Sequence, residues 1–507
     1  MVNILGIKMS NCLWSYLVFV LILIPFGDNL AAERYVSIER SRYLRIEYEL
    51  IMSETVPLFV LNQPYTEIQI DALSSSKFRS PNLIPIYAKR VNSTECISIL
   101  AKPTWEVYSE SDDLRHGPSI LLDGYFKLGQ AIGVNRALAS SNAYVLDSDF
   151  HGDTSKWVGG YMYDAYIRYS PHSGISLFHG RTARNFGIPN EFSLFLSNNP
   201  YPYDHFGFSF SGESIQFSWY TGRLNDLLGY DEEGYVIPIG DKVNVQRYIA
   251  MQRLDWILSR YAQIGISEAT LYGGPGQSFE GAYLNPLNFY YLSQRNQGSQ
   301  MNGSWQISAF IYSPKKWAFY LDFYIDDFII NNEPGVVARE IHPDRLGVMG
   351  KFAIVNPGLQ NSLLTLRYVR VWNETYVTWR NFENWVYYNK GLGYPFRAHE
   401  AFKLEMSLFG MSGLETTISS EFMRQGEKSL HTIVNDGPDK LFPAPPVTES
   451  IEMKLLVGYP FRGGEIGFKL NHLYARESAG KWRNSVKYFI EVTYNINLLF
   501  NPNDKTE

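Results

Sequence analysis

The sequence predicts an all-β fold, a transmembrane antiparallel β-barrel of about 18 strands with a small, partly helical N-terminal portion. Three observations predict it: an aromatic-rich composition, long segments that alternate apolar and polar residues, and short turns that alternate with long polar segments. Aromatic residues make up 15% of the 507 residues, and such rings favour strands and membrane interfaces. After the N-terminus no apolar run approaches the length of a spanning helix, so helical membrane spans are not expected there.

The first 32 residues are predicted to be a signal peptide. Lys8 precedes an apolar run from Leu13 to Phe26, and the small residues Ala31 and Ala32 follow it. This is the order of a secretory signal and its cleavage site, and the run is shorter than the roughly 20 residues of a spanning helix. The mature chain is expected to begin near Glu33.

Long segments alternate apolar and polar side chains with a period of two residues. Between Ser485 and Phe500 the even positions are apolar and the odd positions are mostly polar. At about 3.3 Å per residue this strand spans roughly 50 Å, which is long for a soluble sandwich but suits a tilted crossing of a bilayer. The same alternation recurs in residues 161–169, 215–219, 317–325 and 402–408. These segments are predicted to be membrane-spanning strands.

Connections between these segments alternate in length, as they do in outer-membrane barrels with short periplasmic turns and long external loops. Extending this alternation to both ends gives about 18 strands, with both termini on the periplasmic side. Between Gly117 and Val134 the pattern allows either one bent strand or two. The short turns are expected at residues 170–174, 211–212, 313–315, 356–361, 410–413 and 460–464, and the long loops at 181–203, 221–245, 273–303, 326–346, 373–400 and 424–450.

The chain after the signal is expected to divide into two parts. Residues 33–95 contain a charged, weakly helical stretch from Arg40 to Glu54 and no long alternating run. They are predicted to form a small, partly helical periplasmic segment, and a plug inserted into the barrel is the alternative. Residues 96–507 are predicted to form the outer-membrane β-barrel with long extracellular loops.

The composition and motifs argue against nucleic-acid binding and catalysis. A net charge of −6 leaves no broad basic surface for nucleic acid. The chain contains neither His-Glu-x-x-His nor Gly-x-Ser-x-Gly. Asp326 and Asp327 are adjacent, so in a strand their side chains point to opposite faces and cannot flank one glycosidic bond. No enzyme activity, metal or cofactor is therefore expected, and this pair is kept as a candidate for polar contacts to carbohydrate.

Arg253 and Asp255 are predicted to face the barrel lumen. They share one strand face, opposite Leu254 and Trp256. An ion-paired polar network in the lumen is the favoured interpretation, because interior charges commonly pair. A selectivity or ligand contact is the alternative.

The densest aromatic and polar cluster lies between Trp372 and Lys390. Sugars stack their apolar faces on rings while nearby polar groups bind the hydroxyls, whereas a membrane-interface girdle uses the same residue types. The two interpretations are equally open. The candidate carbohydrate-binding residues are Trp372, Trp379, Arg380, Trp385 and Tyr387, with Trp379 and Trp385 as stacking platforms and Arg380 as a donor to a sugar carboxylate.

Several short motifs follow one another in a fixed order between Gly160 and Phe328. They are Arg184-Asn185-Phe186-Gly187, Ser193-Leu194-Phe195-Leu196-Ser197, Arg253-Leu254-Asp255-Trp256, Tyr272-Gly273-Gly274, Tyr283-Leu284-Asn285-Pro286, Gln294-Arg295-Asn296 and Tyr324-Ile325-Asp326-Asp327-Phe328. Together they resemble the Wzi family of outer-membrane capsule assembly proteins.

The resemblance implies a monomeric barrel of eighteen strands in the outer membrane of a Gram-negative bacterium. It also implies a surface lectin that helps to tether capsular polysaccharide, without catalysis or a cofactor. The chain's expected partners are capsular or other surface polysaccharide and outer-membrane lipid. The alternative function is an outer-membrane channel or transporter for oligosaccharides, because a polar lumen in a barrel of 16 or more strands can hold water.

Overall fold

The computed structural model describes residues 34–36, 40–56, 58–73, 95–110, 113–143, 147, 149–150, 156–228, 244–297, 301–327, 345–410, 412–432, 441–477, 480 and 482–500. The predicted signal peptide, residues 1–32, lies outside the described residues.

Eighteen long strands form one closed antiparallel barrel, which confirms the predicted fold class. Each strand pairs with its neighbours in sequence, and β1 pairs with β18 to close the barrel. The strands are β1 (Glu95–Glu110), β2 (Asp113–Leu128), β3 (Ala131–Ser140), β4 (Gly159–His172), β5 (Ile175–Thr182), β6 (Tyr203–Ser211), β7 (Ile215–Arg223), β8 (Asn244–Ser259), β9 (Ala262–Pro275), β10 (Met301–Ser313), β11 (Trp317–Asp327), β12 (Arg345–Val355), β13 (Ser362–Val371), β14 (His399–Phe409), β15 (Glu415–Gly426), β16 (Val447–Phe461), β17 (Gly464–Glu477) and β18 (Arg483–Tyr494, continued as Ile496–Phe500). Gly117 lies in β2 and Val134 in β3, so this stretch forms two strands.

The two ends of the barrel differ in their connections. Turns such as Gly129-Gln130, Ser173-Gly174 and Arg260-Tyr261 join strands at one end, here called the short-turn end. Connections of up to 27 residues, such as 372–398, lie at the other, the long-loop end. The first residues of β1 pair with the last residues of β2 and β18, so both barrel termini are at the short-turn end. This is the arrangement of bacterial outer-membrane barrels.

Strand side chains alternate between the lumen and the outer face. In β12 every second residue from Arg345 to Val355 is buried. The outer face carries exposed apolar side chains, such as Leu254 and Trp256 of β8 and Phe402 of β14. An apolar outer band is the surface that a barrel presents to lipid.

Four α-helices accompany the barrel in the described part of the chain. They are α1 (Arg40–Met52), α2 (Glu67–Leu73), α3 (Gly281–Leu284) and α4 (Tyr290–Gln297). Among the described residues, no helix combines the length and the apolar character that a membrane crossing requires.

The N-terminal segment, residues 34–36, 40–56 and 58–73, lies inside the barrel. Its partners are inward-facing residues that extend round most of the wall: Asp123 of β2, Tyr166 of β4, Asp255 of β8, Gln263 of β9, Lys351 of β12 and Phe409 of β14. One buried cluster contains α1 residues and wall residues together, including Tyr43, Leu50 and Tyr320. The hydrophobic core of the molecule is therefore in the lumen.

For residues 34–36, 40–56 and 58–73 these contacts differ from the expectation that residues 33–95 form a periplasmic segment, and residues 74–94 lie outside the described residues. Arg45, Glu47 and Glu49 make α1 look like a helix in water, yet all three are buried. Arg45 pairs with Glu49 at 3.1 Å, and Glu47 accepts a hydrogen bond from Lys351 at 2.7 Å. The polar lumen supplies partners for these charges, as burial of charged groups requires. The contacts of these residues are those of the plug alternative.

Candidate functional site

The loop of residues 372–398 crosses the mouth of the barrel at the long-loop end. It leaves from β13, and Arg247 of β8 holds it by donating to the carbonyl oxygens of Phe382 at 2.8 Å and Asn384 at 2.8 Å. Farther along, Lys390 reaches Asp147 in the β3–β4 connection, with a nitrogen–oxygen distance of 2.8 Å. The β3–β4 and β13–β14 connections are ten strands apart in a barrel of eighteen, so the loop reaches the opposite wall.

A second loop, residues 183–202, enters the lumen from β5 and meets the first. The indole nitrogen of Trp385 donates to the carbonyl oxygen of Phe195 at 2.7 Å. The backbone N–H of Leu194 donates to Asp322 of β11 at 3.2 Å. Farther in, Asn185–Phe186 pairs as a two-residue strand with Asn62–Gln63 of the N-terminal segment. The two loops and the N-terminal segment therefore meet within the barrel.

Lys351 joins these parts to the wall. Its ammonium group donates to Glu47 of α1 at 2.7 Å and to the carbonyl oxygen of Pro189 in the 183–202 loop at 3.0 Å. The side chains of Lys351 and Glu47 are both 0% exposed. Nearby, Glu191 of the same loop pairs with Arg367 of β13 at 2.9 Å. Buried, charge-assisted contacts of this kind hold a defined geometry. The 183–202 loop, the N-terminal segment and the barrel wall are therefore fixed relative to one another.

The structure places Arg253 and Asp255 in the lumen as a buried ion pair, with a nitrogen–oxygen distance of 2.7 Å. Arg253 also donates to Ser267 at 2.9 Å. Asn62 of the N-terminal segment donates to Asp255 at 2.9 Å. The pair thus belongs to the packed interior and contacts the N-terminal segment.

Three predicted carbohydrate contacts are buried, which corrects the assignment of Trp385 as a stacking platform. Trp385 is 0% exposed and packs against Phe195 with ring centroids 5.7 Å apart. Tyr387 is buried beside Tyr203. Asp326 is buried and accepts a hydrogen bond from the backbone N–H of Tyr376 at 2.8 Å. The side chain of Asp327 lies outside the described part of the structure.

Three other predicted residues remain near the surface of the long-loop end. Trp379 is 37% exposed. Arg380, next to it, pairs with Glu383 at 3.0 Å. The pKa of the Glu383 carboxyl is raised, because the effect of burial exceeds the opposing effect of the charge and hydrogen bond of Arg380. Trp372 is half-buried beside the guanidinium of Arg370, which lies 5.0 Å from its ring centroid. An aromatic surface with a charged neighbour is suited to a sugar chain.

A cavity of about 340 Å³ lies between the 183–202 loop and the wall formed by β2 to β5. Tyr161, Tyr163 and Tyr201 contribute rings to its lining, and Asp147, Asn198 and Lys390 contribute polar groups. The sequence pattern assigns Tyr161 and Tyr163 only to a strand. In the sequence, the only signals for this cavity are the two tyrosines in one strand and the polar and aromatic residues from Asn198 to Tyr201. That these two groups lie close together depends on how the 183–202 loop folds back, which the sequence pattern does not show.

Among the described residues, no group of three or more histidine, cysteine, aspartate or glutamate side chains is arranged to hold a metal ion.

Comparison with known proteins shows a likeness of fold. No protein-family model and no curated protein sequence matches this chain. The structure of Wzi from Escherichia coli, an outer membrane protein involved in group 1 capsule assembly and a carbohydrate-binding β-barrel, superposes with a TM-score of 0.58. The alignment has 11% identity and covers 91% of this chain and 99% of Wzi.

Two barrels of Pseudomonas aeruginosa are also similar, with lower scores. OccD3 (OpdP) gives a TM-score of 0.46 at 13% identity, with 79% of this chain and 91% of the other covered. OprD gives a TM-score of 0.42 at 10% identity, with 80% and 95% covered. The likeness to Wzi, at 11% identity, shows the barrel fold alone.

Proposed function

We propose that this chain is a monomeric outer-membrane protein of the Wzi type, exported by a signal peptide, that binds capsular or other surface polysaccharide at its long-loop end during capsule assembly. In this proposal it is not an enzyme and needs no cofactor. The barrel fold, the apolar outer face and the likeness of fold to Wzi support the location and the type of ligand.

The observation that carries the proposal is the way the chain fills its own lumen. The N-terminal segment contacts the β10–β11 turn at the short-turn end, where the backbone N–H of Lys315 donates to the carbonyl oxygen of Ile51 at 2.7 Å. The 183–202 loop pairs with the N-terminal segment, and the 372–398 loop contacts the 183–202 loop. A water-filled channel needs a continuous polar path through the barrel. The described segments occupy the route of such a path, which favours binding over transport.

The long-loop end presents the groups that bind sugars. Trp372, Trp379 and Arg380 lie near the surface, and the 340 Å³ cavity has a tyrosine lining. Rings that offer flat apolar contact and polar groups that replace hydroxyl hydration are the usual elements of a carbohydrate site. The 372–398 loop contributes to both features, since it carries Trp379 and Lys390.

Deletion of the gene tests this function in the cell. We expect capsular polymer to move from the cell surface into the medium while its total amount is unchanged, and the wild-type gene to restore retention. A fall in total polymer would instead indicate a role in synthesis or export. Unchanged retention would contradict the proposal.

Binding by the purified protein is the direct biochemical test. The full chain in nanodiscs should retain isolated host polysaccharide, and empty nanodiscs should not. Incubation with the polymer should produce no new reducing ends. A rise in reducing ends would show hydrolysis and contradict the non-enzymatic proposal.

A further inference from the structure

We propose that the cavity between β2–β5 and the 183–202 loop binds a single neutral sugar residue of the polymer. The polymer is then bound in this cavity as well as at the exposed residues of the long-loop end. This inference rests on the proposed polysaccharide-binding function. The volume of about 340 Å³ is at the lower end of the range for small-molecule pockets, about 300 to 1,000 Å³. A small unit fits this space better than a long stretch of chain.

The cavity is close to solvent at the long-loop end. Lys390 and Asp147 line it, and their side chains are 18% and 22% exposed. Lys390 belongs to the 372–398 loop and Asp147 to the β3–β4 connection, so the two loops meet at this point. A sugar residue of a polymer lying over the loops can enter here without any strand of the barrel moving.

A local irregularity in β4 builds the aromatic wall of the cavity. In the pairing of β3 with β4, Arg136 lies opposite Asp164 and Ala137 lies opposite Met162, so Tyr163 is an extra residue. Such a bulge redirects side chains. As a result Tyr161, Tyr163 and Asp164 all line the cavity, although a regular strand would turn one of two neighbours away.

Three tyrosine rings of the lining meet edge to face. Tyr161 lies 4.6 Å from Tyr163 at an interplanar angle of 62°, and 5.5 Å from Tyr201 at 70°, measured between ring centroids. The hydroxyl groups of Tyr161 and Tyr163 bond to each other at 2.7 Å. The apolar area of such rings is a surface against which pyranose C–H groups pack.

The charges lining the cavity are already balanced, which argues for a neutral ligand. Lys390 pairs with Asp147 at 2.8 Å, and Arg136 lies 3.9 Å from Asp164. Tyr201 also donates a hydrogen bond to Asp147, with an oxygen–oxygen distance of 2.6 Å. An acidic sugar would have to displace Asp147 from Lys390 and leave that carboxylate without its cation, a costly exchange in a partly buried site.

Asn198 supplies polar capacity for sugar hydroxyls. It lines the cavity, and its side-chain amide makes no hydrogen bond with the residues that the structure describes. The neighbouring Asn199 uses its amide nitrogen to donate to the carbonyl oxygen of Gly391 at 2.8 Å. An amide that both donates and accepts is suited to a pair of vicinal hydroxyls.

The test measures binding of isolated host polysaccharide to the full chain in nanodiscs. Tyr161→Ala should weaken binding about fivefold, the equivalent of one aromatic contact, and Asn198→Ala about threefold, the equivalent of one modest hydrogen bond. Trp157→Ala is the matched control: this indole is at the same end of the barrel, is 81% exposed and lies outside the cavity lining. Asn198→Ala is the variant least expected to disturb folding, because the side chain has no hydrogen bond to lose among the described residues.

Competition identifies the ligand class. D-glucose, D-galactose and D-mannose are the neutral probes, and D-glucuronate is the acidic one. At least one neutral hexose should compete with the polymer on wild-type protein more strongly than glucuronate does, and this competition should weaken in both cavity variants. Equal or stronger competition by glucuronate, or no competition by any of the four, would overturn the assignment of a neutral sugar.

The outcomes separate this inference from the function on which it rests. If wild-type protein binds the polymer and both cavity variants bind it equally well, the cavity inference fails and the proposed function stands. If wild-type protein does not bind the polymer at all, the proposed function fails.

Discussion

At the scale of single residues, burial separates two tryptophans that sequence patterns treat alike. Trp385 is 0% exposed and donates a hydrogen bond to the carbonyl oxygen of Phe195, whereas Trp379 is 37% exposed on the same loop. The first ring contributes packing between two loops. The second is partly exposed. The same residue type therefore occupies two different environments in one loop.

Replacing these tryptophans one at a time tests that division. Trp385→Ala should lower the free energy of unfolding by about 3 to 5 kcal/mol, the usual cost of removing a buried aromatic side chain. Trp379→Ala should change it by less than about 0.5 kcal/mol and should weaken polymer binding instead. Urea unfolding of the purified variants measures the first quantity, and polymer retention in nanodiscs measures the second. Equal destabilisation by both changes would contradict the division of roles.

Asp147 gives the loop contact a defined pH dependence. Burial tends to raise the pKa of this carboxyl, but hydrogen bonds from Lys390 and Tyr201 and the charge of Lys390 outweigh it, so the pKa is lowered. A lowered folded pKa means that the contact stabilises the folded loop above the ordinary value of 3.8. This stabilisation is lost as the pH falls through the folded pKa.

Pepsin, which is active in this pH range, provides the measurement. At pH 5 the wild-type β3–β4 connection should be cleaved more slowly than that of Asp147→Asn, because only the wild type keeps a charged partner for Lys390. The difference should shrink as the pH falls through the lowered folded pKa of Asp147, because protonation removes the charge that Lys390 binds. Identical pH profiles for the two proteins would show that the carboxylate does not hold this connection.

At the scale of elements, α1 is held in the barrel by a charge pair that cannot be identified from the sequence of α1, because the partner lies in β12. Glu47 and Lys351 are both fully buried at a distance of 2.7 Å, and Glu54 and Lys315 make a pair of the same length in the open. The exposed pair is screened by water, whereas a buried cation that loses its partner keeps its full desolvation penalty. The two pairs form a natural comparison within one segment.

Glu47→Gln should therefore destabilise the protein by about 3 kcal/mol, and Glu54→Gln should have little effect. Urea unfolding gives the free energies, and protease sensitivity of the N-terminal segment shows whether α1 leaves the barrel. Faster proteolysis is expected for Glu47→Gln alone. If both variants resist protease as the wild type does, the buried pair does not hold α1.

The strands could be predicted from sequence because their signal is local. A side chain in β12 or β14 faces lipid or lumen according to its position in a two-residue repeat, which can be counted along the chain. The plug could not be placed in this way. Glu47 differs from a solvent-facing glutamate through partners that are distant in sequence: Asn190 is 143 residues away and Lys351 is 304 residues away.

The candidate site was predicted only in part for the same reason. The pattern identified Trp379 and Arg380, which lie near the surface, but also Trp385 and Tyr387, which the fold buries. An aromatic cluster at a ligand surface and one packed inside a loop contain the same residue types, so composition alone does not separate them. The cavity was missed because its wall depends on the bulge at Tyr163 and on a loop that folds back from another part of the chain.

At the scale of the whole molecule, a barrel wide enough for a channel is occupied by its own chain. The N-terminal segment makes contacts from β2 to β14, and the 372–398 loop reaches from β13 to the opposite wall. A barrel of this strand number is held open in porins, so the filling segments account for the difference.

Planar-bilayer conductance of the purified full chain tests this central claim most directly. The wild-type protein should produce no large, stable openings, because the N-terminal segment and the two loops occupy the lumen. A variant lacking residues 374–396 is the control. It should conduct more than the wild type, which shows that protein prepared in this way inserts into the bilayer. Large, stable openings by the wild-type protein would contradict a closed barrel and would favour the channel alternative.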